Sequence, residues 1–304
     1  MHRLIAFIVL LASVQAAQAH HVPEATPASP FDLGIACLLL CGALFYARGI
    51  WRLWRKAGVG RGIRRPEPVS FALGWAALAI ALLSPIDTLA EHSFAIHMVQ
   101  HELLMVVAAP LIVLGRPLEA FAWGVPAPMR GVAAAVARTS VIQALWQPIT
   151  SSLGAWSIHA LALWIWHVPI LFELALTHFG WHVAQHTCFF VSALGFWWSV
   201  FARASRTAGA WSIASLFTTM LHTSALGALL TFAPSAWYPL AGPPAFGLTA
   251  LEDQQLGGLV MWVPGGFAYM IAALRTCCYF ISQNSVPKPL RLPILSDADG
   301  ERAV

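Results

Sequence analysis

Charge is what this chain has little of. Only 10% of its 304 residues are charged, where an ordinary soluble domain carries about a quarter. A water-soluble globule so built would have no hydrated surface. A disordered chain needs the opposite bias, few apolar residues with many charges. Cysteine is also sparse: five residues in 304 do not make a disulfide scaffold. No phosphate loop or dinucleotide-binding glycine motif sits in a plausible setting, and no Ser/His/Asp order is present, so hydrolytic and nucleotide chemistry have nothing to stand on. The expectation is a protein that is not an enzyme. What is abundant is apolar surface, with 59% hydrophobic residues and a mean hydropathy of +0.70. At about 20 apolar residues per bilayer crossing, the chain has room for seven or eight membrane spans joined by short loops.

The first residues read as a targeting segment. Arg3 is followed by an apolar stretch from Leu4 to Val14 and then by Ala17-Gln18-Ala19, a basic start, a short apolar core and a small-residue cleavage site. Residues 1–19 are thus a signal peptide, with a retained first helix as the alternative. Residues 20–304 form a single polytopic membrane domain with an apolar core over about 33–281. Seven apolar stretches follow: Leu33–Ile50, Val69–Ser84, Phe94–Leu114, Ile149–Trp166, His182–Phe201, Trp211–Ala233 and Leu256–Leu274. The fold class expected is all-α, a transmembrane helix bundle of about seven spans after a cleaved signal peptide. Gly131–Leu145, alanine-rich with Arg138, reads as one helix lying in the membrane interface.

The few cations are distributed unevenly. Arg48, Arg52, Arg55, Lys56, Arg61, Arg64 and Arg65 fall in the first connection, and Arg116, Arg130 and Arg138 in the third. Arg203 and Arg206 fall in the fifth, and Arg275, Lys288, Arg291 and Arg302 at the C-terminal end. The second, fourth and sixth connections contain no Lys or Arg. By the positive-inside rule the mature N-terminus is periplasmic and the C-terminus cytoplasmic. The excess of basic residues (17 Lys and Arg against 13 Asp and Glu) is therefore a topology device in contact with the lipid bilayer, and nucleic acid is not an expected partner.

The twelve histidines are distributed the other way. His97 and His101, and again His182 and His186, are i, i+4 pairs that share a helix face, and both helices enter from the outer side. Two such pairs facing each other would supply up to four imidazole nitrogens, a donor set suited to copper, zinc or iron. His167 ends the fourth stretch on that same side. Cys37 and Cys41 form another i, i+4 pair, and Met98 lies beside His97; thiolate and thioether favour monovalent copper. The acids also lie outward. Asp87 and Asp253 precede the third and seventh stretches, while Glu102 follows His101 within the span, and each is a candidate to orient a ligand or balance a metal charge.

Several motifs resemble the membrane-integral CtaG family of cytochrome c oxidase assembly factors. They are Ser84-Pro85-Ile86-Asp87-Thr88-Leu89, then His97-Met98-Val99-Gln100-His101, then Ala109-Pro110-Leu111-Ile112-Val113-Leu114-Gly115. Trp166-His167-Val168-Pro169 and Leu251-Glu252-Asp253-Gln254-Gln255-Leu256-Gly257-Gly258 agree as well. The resemblance runs from about Phe71 to Tyr269. It implies a multi-pass protein of the bacterial inner membrane that helps mature a heme-copper oxidase. Handling copper on the periplasmic side is the expected role, with oxidase subunits or other assembly factors as partners. Two alternatives stand beside it: a heme-binding membrane redox protein with axial histidines, and a copper importer.

Overall fold

The computed structural model describes residues 30–201, 206–238 and 245–284. The segment assigned as a signal peptide lies outside them. Among the described residues every regular element is helical, with no strand. Helix α1 is Pro30–Ala57, α2 is Pro66–Leu83 and α3 is the short Pro85–Ala90. Helix α4 is Phe94–Leu114, with a π-helical stretch at Leu103–Ala108. Helices α5 (Pro117–Gly124), α6 (Ala127–Ala137) and α7 (Ser140–Thr150) are short. Helix α8 is Ser152–Trp166, α9 is Pro169–Thr177, α10 is Phe179–Phe201 and α11 is Arg206–Thr231. Helix α12 begins with Ala250–Val260, passes a π-helical turn at Met261–Gly265 and continues as Gly266–Asn284.

Each of the seven apolar stretches is helical over most of its length, and the main helices of successive stretches run in opposite directions. Phe31 at the start of α1 meets Phe179 at the start of α10, their rings 4.7 Å apart. At the other end Arg52 donates to Gly124 O at 3.0 Å and the Arg275 guanidinium lies over the Phe201 ring. Five helices are long and apolar enough to cross a membrane, and a sixth crossing follows if α8 and α9, bent by 76° at His167, count as one. Helix α10 has the length, at 23 residues. Its His182, Gln185, His186, Thr187 and Ser192 leave it too polar to pass on composition.

Helix α4 is the central one: 61% of its apolar window is buried, against 28–39% for the other four crossing helices. It runs from the histidine end, past Leu114, to Arg116 at the basic end. Twenty-one residues at 1.5 Å each give about 31 Å, the thickness of a hydrocarbon core. Pro110 has no N–H to give the preceding turn, and the ladder loosens into the π stretch before it. Trp197 Nε1 donates to the Met105 carbonyl there at 2.8 Å. Close contacts with α2 complete the packing, since a Cβ on Gly74 would stand 2.8 Å from Ile112 N and one on Gly115 2.5 Å from Phe71 Cβ.

The interfacial segment differs from expectation. Instead of one helix over Gly131–Leu145 there are two, α6 and α7, broken at Arg138 and Thr139. Thr139 takes an extended backbone and its hydroxyl donates to Val136 O at 2.8 Å, a local bond that competes with helix continuation. The fourth stretch likewise starts later than Ile149. Ser151 takes an extended backbone and ends α7, and its Oγ then caps α8 by accepting from Gly154 N at 2.9 Å.

Candidate metal centre

His97 and His101 stand one turn apart near the start of α4, and His182 and His186 one turn apart near the start of α10. One candidate ligand atom each from His97, His182 and His186 lies within 4.8 Å of the others. His97 packs with ring centroids 5.5 Å from His182 and 5.6 Å from His186. His101 is 4.3 Å from His97 and 5.1 Å from His186. His167, at the α8–α9 bend, is 6.3 Å from His101. Five imidazoles from three helical segments therefore meet at one end of the bundle. Phe172 and Phe189, both fully buried, wall the group.

The hydrogen bonding of this group is incomplete. His97 Nδ1, both nitrogens of His101, His167 Nε2 and His186 Nε2 are buried with no partner. Buried imidazole nitrogens without partners cost free energy unless something else satisfies them. For His167 the tautomer is fixed: Nδ1 lies 2.7 Å from Leu163 O, a carbonyl that only accepts, so Nδ1 carries the proton and Nε2 offers a lone pair. Such a backbone-oriented imidazole is the usual arrangement behind a metal ligand. Gln185, one residue before His186, places Oε1 3.3 Å from His97 Nε2. Sequence reasoning passed over Gln185; an amide beside a histidine in an apolar helix was the available signal.

The other predicted residues serve different ends. Asp253, on the first turn of α12, is buried and accepts from Ser93 Oγ at 2.7 Å, Phe94 N at 2.6 Å and Ala95 N at 3.1 Å. It caps the helix that carries His97 and His101, in place of a local acidic cap and with favourable charge for a helix start. Asp87 accepts from Gln100 Nε2 at 2.6 Å, and the same amide donates to Ala81 O at 2.8 Å. Burial pushes the Asp87 carboxyl up to about 6, against the lowering effect of its Gln100 hydrogen bond. Glu102, about 100° round the helix from His101, lies against α12: a Cβ on Gly265 would stand 3.0 Å from both its oxygens. Met98 is buried in a separate cluster with Phe94, Phe172, Tyr238 and Met261. Cys37 and Cys41 are exposed on the outside of α1 and are not brought to the histidines.

The remaining motifs are architectural. Glu252 forms a capping box with Thr249. Gln254 Oε1 accepts from Trp237 N at 2.6 Å, Gln255 Nε2 donates to Ala233 O at 3.3 Å, and Tyr238 OH donates to His167 O at 2.7 Å. The loop between α11 and α12 is thereby tied to the bend that presents His167. Gly257 admits the Phe94 ring, and Gly258 lets α12 approach the α11 backbone at Gly227 and Thr231.

A family model described as cytochrome c oxidase caa3 assembly factor (Caa3_CtaG) matches residues 44–283, most of the chain. No curated protein and no solved structure matches.

Proposed function

The chain belongs to the cytochrome c oxidase caa3 assembly factor family, and from that premise we propose that it carries copper to the oxidase, binding the ion at His97, His182 and His186 with His101 and His167 as exchange ligands. The observation that supports the reading is the convergence of five imidazoles, of which the buried His97, His101, His167 and His186 each keep at least one ring nitrogen without a partner. Metal–imidazole bonds are about 2.0–2.1 Å long, which sets three donors around one ion about 3.5 Å apart. Nitrogens within 4.8 Å reach that spacing by side-chain rotation. Asp253, Asp87 and Glu102 are each directed elsewhere, so the ligand set is neutral. A neutral set in an apolar wall favours a monovalent ion, because a dication would leave more charge uncompensated. Imidazoles packed 4.1–5.6 Å apart also leave no room between them for a porphyrin plane, which favours copper over heme.

Five histidines around a position that needs three suit transfer. An ion held by His97, His182 and His186 can exchange one donor at a time with His101 or His167, so no step strips it of all ligands at once. The aromatic walls keep water from competing. The periplasmic end of an inner-membrane bundle, with the N-terminus outside and the C-terminus inside, is the orientation that places this site where an oxidase copper centre is built. The family is one of assembly factors rather than catalysts, and oxidase subunits are the proposed recipients.

The test joins binding to phenotype. The triple variant His97→Asn/His182→Asn/His186→Asn is expected to insert at normal abundance, to lose copper at this site, and to lower oxidase activity in copper-poor medium as far as deletion does. Full oxidase activity in the deletion strain would remove the assembly role. Full activity in the triple variant would remove the copper site. A Soret band in the purified protein would replace copper with heme.

A further inference from the structure

A second group of buried polar atoms lies deeper in the bundle, between α8, α10 and α11. His159 on α8 is fully buried. Its Nδ1 is 3.0 Å from Ser192 Oγ on α10, and that hydroxyl donates to Phe189 O at 3.1 Å. With the hydroxyl proton committed, Ser192 Oγ must accept, so His159 Nδ1 carries the proton and Nε2 is a bare lone pair. Nε2 is buried without a partner. His222 on α11 has both ring nitrogens buried and unpartnered, as are Thr219 Oγ1 and Trp156 Nε1. The rings of Trp156 and His222 are 6.0 Å apart.

This group is distinct from the five histidines at the bundle end. His159 is eight residues before His167 on the same helix, about 12 Å along the axis, and Ser192 is six residues after His186, about 9 Å. Fully buried Phe189 and Leu163 lie in the interval. A lone pair fixed by a serine, with an unpartnered imidazole on the neighbouring helix, is an expensive arrangement in a membrane interior unless a cation completes it. Two neutral nitrogens with no carboxylate among them suit a soft monovalent ion, and imidazole is a competent copper donor.

We propose that His159 Nε2 and a ring nitrogen of His222 form a second monovalent-copper position at mid-depth in the bundle, inward of the five-histidine centre. Thr219 Oγ1 and Trp156 Nε1–H remain for a water beside the ion. The proposal rests on the copper reading above, and it adds a stage to it: a reserve position from which the outer centre is refilled, or to which it discharges.

The experiment counts cuprous ions per chain on purified full-length protein in detergent, loaded anaerobically against a cuprous chelator. Wild type is expected to hold two, the His159→Asn/His222→Asn variant one, and the triple variant of the outer histidines one. X-ray absorption on the loaded triple variant should then show two nitrogen neighbours. A triple variant that binds none, or a wild type that binds one ion which the triple variant loses, overturns the second position, as does an inner variant with the wild-type count; the polar atoms then hold only water. Those first two measurements decide the matter even if the inner variant does not fold. A triple variant that keeps the wild-type count overturns the outer centre instead, so the two failures are separable.

Discussion

His101 shows how the site differs from a packed core. Both its nitrogens are buried and neither has a partner, yet it is surrounded by His97, His186, His167 and Phe189. A purely structural histidine in that position would be replaced to advantage by an apolar side chain of similar size, since an unsatisfied buried polar group costs about 1–3 kcal/mol. His101→Leu is therefore expected to melt no lower than wild type while its copper affinity falls at least several-fold. A variant that is destabilised with unchanged affinity would make His101 a packing residue. Asp87 gives a second test. Its folded-state value of about 6 is above the ordinary 3.8, so the folded chain holds this proton more tightly than the unfolded one. Its contribution is most favourable below pH 4 and is lost as pH rises through 6. The melting temperature of wild type minus that of Asp87→Asn should fall between pH 4.5 and pH 7. A flat difference would show that Asp87 carries no such shift.

At the scale of elements, α4 carries two of the proposed ligands, and α12 holds the first turn of that helix. Three hydrogen bonds from the start of α4 converge on Asp253, and the Phe94 ring stacks on Tyr238 at 4.9 Å and packs into the space left by Gly257. Asp253→Ala leaves Ser93 and two backbone N–H groups unsatisfied and is expected to cost about 3 kcal/mol, with copper affinity reduced through displacement of His97. Asp253→Asn keeps two acceptor sites on its oxygen and should recover part of both losses. If Asp253→Ala binds copper normally while melting earlier, the clamp does not position the ligands. The π stretch after His101 belongs to the same design. Pro110 weakens the ladder, and Trp197 from α10 takes up the Met105 carbonyl, joining the two ligand-bearing helices below the site.

For the whole molecule, the histidine end and the basic end are opposite. Arg116 at the far end bonds Gly62 O at 2.7 Å and Glu119 at 3.0 Å, and Arg55 and Lys56 close α1 there. A reporter active only in the periplasm should work when fused after Ala245 and fail when fused after Arg206. The reverse would put the histidines on the cytosolic face and turn delivery into uptake or storage.

The helical class and the asymmetry between histidine and cation were legible in the chain, because each is set by composition along one dimension, whereas the expected seven spans meet five helices long and apolar enough to cross, or six with the bent α8–α9 pair. A run of apolar residues must become a helix in lipid, where no water satisfies its backbone. The pairs His97/His101 and His182/His186 were legible for the same reason, since i, i+4 spacing fixes a shared face whatever the helix packs against. Breaks at Thr139 and Ser151 were not, because a single hydroxyl competing for backbone bonds leaves no mark on hydropathy. The roles of the acids were decided only in three dimensions. Asp253 and Glu102 look alike as acids at the edge of or within an apolar stretch, yet one caps α4 from 159 residues away and the other is turned from His101 by one step of about 100° round its helix. His159 and His222 lie 63 residues apart, each the one histidine of its own helix, and only the packing of α8 against α11, where the Trp156 and His222 rings come to 6.0 Å, brings their unpaired nitrogens to the same part of the bundle.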